Sequence, residues 1–214
     1  MPITRLIGFG IVPVVVIDRV EHAVPLADAL AAGGVGVIEV TFRTGAAADV
    51  IRAIREARPE MMVGAGTVIT AENVKAAIAA GAQFGVAPGC NAQIVSLATS
   101  LGLPFVPGVC TPSEIEVAMT LGCTLLKYYP SEAAGGLPYL NAIATPFRHM
   151  GLHFMPSGGI APENLEAYLT NDLVACAGGT WLAKTDDLAA GRWDEITRRC
   201  QAAMAVVHRV RGRS

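Results

Sequence analysis

Val35-Gly36-Val37-Ile38-Glu39-Val40-Thr41-Phe42-Arg43 is followed by an Ala-rich stretch, Ala46–Arg58, and then by a second short apolar run, Met61–Gly64. The first and last runs have strand length and β-branched or apolar content, and the stretch between them has helical period. Strand, helix, strand in about 30 residues is a βα unit with its crossover. The same unit recurs in both directions. Strands are expected near Ile11–Ile17, Val35–Val40, Met61–Gly64, Gln83–Ala87, Pro104–Val106, Thr124–Tyr129, His153–Pro156 and Val174–Ala177. Helices are expected near Val20–Ala32, Ala46–Arg58, Ala71–Ala80, Asn91–Leu101, Pro112–Leu121, Leu137–Met150, Pro162–Thr170 and Arg192–Val210. Thr70 and Thr111 stand at helix starts, the latter with Pro112 behind it. Glycines at 33, 81, 102 and 122 close several helices. Eight units in a chain of 214 residues predict an α/β fold: a (β/α)8 TIM barrel with a short N-terminal helix, residues 1–214 forming a single domain. An open doubly wound sheet is the runner-up, but no G-x-G-x-x-G follows the first strand.

Composition agrees with buried parallel strands. Apolar residues make up 52% and charged residues 16%, and the mean hydropathy is +0.47. No apolar run approaches the ~20 residues that a membrane span needs. The longest, Leu6–Ile17, is broken by Gly8, Gly10 and Pro13, and Asp18-Arg19-Val20-Glu21-His22 is too charged for a signal-cleavage region. A net charge of −2 gives no reason to expect nucleic acid. Arg209, Arg211 and Arg213 read as a short frayed end. Five scattered cysteines, without C-x-x-C or zinc-site spacing, point to reduced thiols, a cytoplasmic home and no metal.

In a barrel the chemistry lies at the C-terminal ends of the strands. Lys127 is one of three lysines, and alone among them lies inside an apolar strand, Thr124-Leu125-Leu126-Lys127-Tyr128-Tyr129-Pro130. Alternation puts Leu125, Lys127 and Tyr129 on one face, toward the barrel interior. Burying an ammonium is costly, and a neutral amine is what imine formation with a ketone requires. The competing reading is a lysine that snorkels to a carboxylate. Glu39 shares a face with Val37, Thr41 and Arg43, so a carboxylate and a guanidinium emerge together. The first can move protons and the second can grip a carboxylate through paired hydrogen bonds; a structural Glu39–Arg43 or Glu39–Lys127 ion pair is the bland alternative.

Two glycine-rich turns are expected after the last two strands, Ser157-Gly158-Gly159-Ile160 and Ala177-Gly178-Gly179-Thr180-Trp181. Glycine lets backbone N–H groups approach an anion, and a following helix start adds a favourable dipole. The loops after the seventh and eighth strands are the usual phosphate position in this fold. Gly64-Ala65-Gly66-Thr67 offers a further donor cluster, or an ordinary tight turn. Pro88-Gly89 and Pro107-Gly108 read as turn punctuation. The four histidines read as structural, and Glu132 as a supporting or surface carboxylate.

Taken together, Glu39-Val40-Thr41-Phe42-Arg43-Thr44, Gly64-Ala65-Gly66-Thr67-Val68, Pro88-Gly89, Pro107-Gly108, Lys127-Tyr128-Tyr129-Pro130-Ser131-Glu132, Ser157-Gly158-Gly159-Ile160 and Gly178-Gly179-Thr180-Trp181 resemble the 2-keto-3-deoxy-6-phosphogluconate (KDPG) and 4-hydroxy-2-oxoglutarate aldolases. The resemblance runs from about Ile11 to the C-terminal helix. It implies a homotrimer of (β/α)8 barrels and a class I aldolase that needs neither metal nor cofactor. By resemblance Lys127 is the Schiff-base lysine and Glu39 the proton shuttle. Arg43, Thr67 and Pro88 hold or shape the carboxylate end, Tyr129 packs over the substrate, and Ser157, Gly158, Gly159, Gly179 and Thr180 face the phosphate. Tyr128 and Tyr129 stand where the family usually has two phenylalanines, Ser157 where threonine is common, and Thr180 where serine is common. The implied reaction cleaves KDPG to pyruvate and glyceraldehyde 3-phosphate, with 4-hydroxy-2-oxoglutarate as a second substrate. The rivals are an aldolase for the 6-phosphogalactonate epimer, a phosphate-binding barrel enzyme without imine chemistry, and a non-catalytic sugar-phosphate sensor.

Overall fold

A computed structural model describes residues 3–212. A 3-10 helix, Ile3–Gly8, leads into β1 (Ile11–Val15), α1 (Ala23–Ala32), β2 (Val37–Thr41), α2 (Ala47–Ala57), β3 (Met62–Gly66), α3 (Ala71–Ala79), β4 (Phe84–Val86) and α4 (Ala92–Ser100). Then come β5 (Phe105–Val106), β6 (Gly108–Val109), α5 (Pro112–Thr120), β7 (Leu125–Tyr128), α6 (Gly136–Ala144), β8 (His153–Pro156), α7 (Pro162–Thr170), β9 (Ala177–Gly179), α8 (Thr185–Ala189) and α9 (Trp193–Arg211). Every strand pair is parallel. One sheet has the order β5-β4-β3-β2-β1-β9 and the other β6-β7-β8. β5 and β6 are one strand split at Pro107, which has no N–H for the ladder. Bridges Phe154↔Val174 and Ser157↔Gly178 join β8 to the β9 segment and complete the ring. This is the expected eight-stranded α/β barrel.

The core is made by strands buried at every position but the half-buried His153, with Ala, Val, Ile and Leu on the helices against them. Glycines on the inner face of β3 make room for larger neighbours. A Cβ on Gly64 would lie 2.2 Å from the Phe84 ring, and one on Gly66 would lie 2.3 Å from a carboxylate oxygen of Glu39. The helix starts follow their residues. Thr70 accepts from Asn73 N at 3.1 Å, and Thr111 with Glu114 forms a capping box.

Four expectations change. The last strand is Ala177–Gly179, so Gly178-Gly179 belongs to the strand and is no turn. Two consecutive glycines look like a turn in sequence, but here they pair with Val12 and Pro13 of β1. The short α8 was not expected, and it begins only at Thr185, so no helix start abuts Thr180. Gly108 is more than punctuation, because a Cβ there would lie 2.1 Å from the Pro88 carbonyl oxygen. The basic end is not frayed at Arg209 and Arg211. Both lie in α9; Arg209 pairs with Glu166, and Arg211 donates to the carbonyls of Ile7 and Val174 at the base of the barrel. Arg213 lies outside the described residues. Among the described residues no helix is long and apolar enough to cross a membrane.

Candidate active site

Lys127 and Glu39 come from β7 and β2, 88 residues apart in sequence, and meet inside the barrel. Lys127 Nζ donates to Glu39 Oε1 at 3.2 Å. Lys127 is 5% exposed and Glu39 0%. Alternation explains the meeting. Val14 pairs with Glu39 in register, and Gly108 and Met155 with Lys127, so all of these point inward. Gly66 supplies the space that the Glu39 carboxylate occupies. Glu39 Oε2 is buried and has no hydrogen-bond partner among the described residues. A buried carboxylate oxygen left unpaired in an otherwise packed barrel is open to a proton or a polar guest.

Arg43 lies just past β2, exposed at the mouth, and its Nε donates to Thr67 Oγ1 at 3.2 Å. Thr67 has φ +56°, a left-handed conformation that a β-branched residue rarely adopts. Such strain costs ~1–3 kcal/mol and collects at sites of function. Pro88 sits at the same rim, beside a concavity of about 370 Å³ lined by Val68, Ile69, Ala87, Pro88, Gly89, Cys90, Asn91, Ile94 and Phe105. That concavity is apolar and holds neither Lys127 nor Glu39, so it flanks the mouth. The Tyr129 ring has its centroid 5.7 Å from Lys127 Nζ, and its edge would lie 3.1 Å from a Cβ placed on Gly158. Tyr129 thus lies between the amine and the glycine turn.

At the far side, Ser157 is 3% exposed and faces Gly178 across the β8–β9 bridge; a Cβ on Gly178 would lie 2.9 Å from Ser157 Oγ. Gly158 and Gly159 have φ +89° and +88°, which require glycine. A Cβ on Gly179 would instead lie 3.0 Å from Trp181 Nε1 and 3.6 Å from Ile11 Cδ1. Gly179 therefore turns its side toward the helix layer and offers a ligand only its backbone. Thr180 is exposed at the end of β9.

Sequence reading missed what lies behind the turn. Tyr168, on α7, donates its hydroxyl to Glu132 Oε1 and accepts from Ser131 Oγ at 2.9 Å. Burial and the Glu132 carboxylate push the Tyr168 phenol well up, and burial pushes Tyr128 up to about 12. Both stay neutral donors, with Tyr128 bonded to the Gly136 carbonyl at 3.2 Å. The available signal was a tyrosine among the inward positions of an amphipathic helix. Burial raises all five thiols above the usual cysteine range. Burial pushes Cys176 and Cys200 up to about 12 and Cys123 up to about 11.

Comparison with known proteins bears on this arrangement. The family model described as KDPG and KHG aldolase matches residues 4–199. A KHG/KDPG aldolase of Escherichia coli (strain K12) is 45% identical over 194 residues, covering 91% of this chain and 90% of that protein. A 2-dehydro-3-deoxy-phosphogluconate aldolase of Pseudoalteromonas atlantica is 45% identical over 195 residues, 91% of this chain and 90% of that one. Among solved structures, a KDPG aldolase from Legionella pneumophila superposes with a TM-score of 0.91 and 36% identity, covering 95% of this chain and 98% of that one. It is described as holding pyruvate captured at low pH as a covalent carbinolamine intermediate.

Proposed function

The chain belongs to the KDPG and KHG aldolase family, whose members are carbon–carbon lyases, and from that premise we propose that it cleaves KDPG to pyruvate and glyceraldehyde 3-phosphate through an imine on Lys127. The observation that carries the reading is the pairing of Lys127 Nζ with Glu39 Oε1 at 3.2 Å inside the barrel, with Glu39 Oε2 left without a partner among the described residues.

Lys127 passes a proton to Glu39, and its amine attacks the C2 ketone and gives a carbinolamine. Glu39 returns the proton to the carbinolamine hydroxyl, and loss of water gives an iminium, which is the electron sink, so the chemistry needs no metal or external cofactor. Glu39, directly or through a water, takes the C4 hydroxyl proton. The C3–C4 bond breaks, its electrons pass into the iminium, and the aldehyde leaves. The resulting enamine takes a proton at C3 from Glu39, and water releases pyruvate. Arg43 and Thr67 hold the substrate carboxylate, with Pro88 shaping that end. Tyr129 packs over the carbon chain. Ser157, Thr180 and the backbone of Gly158, Gly159 and Gly179 hold the phosphate. 4-Hydroxy-2-oxoglutarate, which lacks the phosphate, is the second substrate of this reading.

The test is borohydride reduction in the presence of pyruvate, followed by peptide mass analysis. The peptide containing Lys127 should gain a reduced pyruvyl group. Labelling at Lys75 or Lys184 would remove the assignment. Cleavage rates on KDPG, its galactonate epimer and 4-hydroxy-2-oxoglutarate would rank the substrates. The reading extends to a cytoplasmic homotrimer of single-domain barrels, supported by the resemblance and the dispersed thiols. Light scattering should then give the mass of three 22.2 kDa chains.

A further inference from the structure

The turn after β8 has its three carbonyls tied. Ser157 O accepts from Ser131 N at 2.9 Å, and Gly158 O accepts from Glu132 N at 3.0 Å. Gly159 O accepts from Asn164 Nδ2 at 3.0 Å. In a trans peptide the N–H points opposite to the C=O of the same unit. Tying these carbonyls therefore turns the N–H groups of Gly158, Gly159 and Ile160 the other way. The Ser157↔Gly178 bridge sets the Gly158 N–H against β9, while among the described residues the N–H groups of Gly159 and Ile160 have no acceptor. Gly159 and Ile160 thus present two unspent donors at the turn.

Glycine permits this conformation but does not enforce it, because the φ values of +89° and +88° lie in a region that glycine enters and leaves freely. What enforces it stands behind the turn. Asn164, in the first turn of α7, splits its amide. Its Oδ1 accepts from Ala161 N at 2.9 Å and its Nδ2 holds Gly159 O. Tyr168, one helical turn further on, is bonded to both Ser131 Oγ and the Glu132 carboxylate, the residues whose N–H groups hold the other two carbonyls. Ser131 is 0% exposed and Tyr168 1%, so water does not replace the bond between them. The fit is also steric: a Cβ on Gly159 would lie 2.5 Å from Glu132 Cβ.

We propose that Asn164 and Tyr168 are positioning residues for recognition of the substrate phosphate: they never touch it, but they set the direction of the peptide N–H groups of the turn that do. This deepens the phosphate reading of the turn and rests on it. Their loss should weaken binding of a phosphate dianion and leave the chemistry at Lys127 alone.

Tyr168→Phe and Asn164→Ala test the proposal, since neither adds charge near the anion. The readouts are KM and kcat on KDPG and on 4-hydroxy-2-oxoglutarate, and competitive inhibition by inorganic phosphate. Each variant should raise KM for KDPG and the inhibition constant of phosphate about tenfold or more, the scale of a hydrogen bond to a charged group. On 4-hydroxy-2-oxoglutarate both KM and kcat should stay within about twofold, since uniform binding of the keto-acid end is untouched. Asn164→Ala also removes a helix cap, but lost stability would burden both substrates alike. Equal losses on the two substrates, or unchanged phosphate inhibition in both variants, would overturn the positioning role. If phosphate does not inhibit the unmodified enzyme, the phosphate reading of the turn has failed, and that is seen before any variant is made.

Discussion

Glu39 and Asp187 are both carboxylates buried in an apolar protein, at 0% and 2% exposure. Asp187 has both oxygens occupied: Arg192 Nε donates to Oδ1 at 2.8 Å, and Arg199 donates to Oδ2. Glu39 has one oxygen on Lys127 and, among the described residues, the other on nothing. The two guanidiniums reach Asp187 from the helix layer and keep part of their surface in water, at 49% and 21% side-chain exposure. Lys127 is 6% exposed by the same measure. A saturated pair with a path to solvent is a brace for the chain. A half-satisfied, fully enclosed pair is tolerated only where the missing partner arrives during use. Burial alone does not separate these roles; the count of satisfied lone pairs does.

The most severe way to break the comparison is Glu39→Gln, which keeps shape and removes the base. Cleavage should fall on the order of 10²–10⁴-fold. Slow borohydride trapping of pyruvate on Lys127 should persist. Near-normal turnover would move the proton work to another group, with Glu132 the first to examine.

Gly66→Ala attacks the same carboxylate by crowding, because the new methyl would lie 2.3 Å from Glu39 Oε1. A displacement near 1 Å should lower turnover by roughly 10–10²-fold. The fold should survive an overpacking cost of ~1–3 kcal/mol. Full activity would show that the placement of Glu39 does not govern the rate.

Asp187→Asn should do the reverse. Turnover should stay near that of the parent, while losing a charge-assisted bond costs about 2–3 kcal/mol. For a chain of this size that is a fall in Tm of ~5–10 °C. A large loss of turnover with an unchanged Tm would put Asp187 on the wrong side of the comparison. The smallest effect is on pH dependence. Burial pushes the Asp187 carboxyl up, but hydrogen bonds and charge from Arg199 and Arg192 outweigh it and hold it below the usual carboxylate range. A depressed folded value means its stabilisation is complete above the unfolded value of about 3.9 and is lost as pH falls through the folded value. The Tm gap between parent and Asp187→Asn should therefore narrow in acid below that point. A gap that stays constant into strong acid would contradict the ion-pair account.

Much of this was legible in the chain itself. Alternating apolar runs and Ala-rich helical segments determined eight parallel βα units, because strands buried on both faces and amphipathic helices leave distinct periods. Alternation likewise put Glu39 and Lys127 on inward faces. Local chemistry marked the helix starts at Thr70 and Thr111. Tertiary structure alone decided the rest, since each remaining feature depends on residues far apart in sequence. Gly66 reads as a turn glycine until the Glu39 carboxylate is found in its place. Gly178-Gly179 reads as a turn until β1 is laid beside it. Asn164 and Tyr168 read as ordinary helix residues until their side chains meet Gly159, Ser131 and Glu132. Periodicity reports which face a residue shows, but only closure of the barrel brings two faces into contact and shows which donors and acceptors are left unpaired.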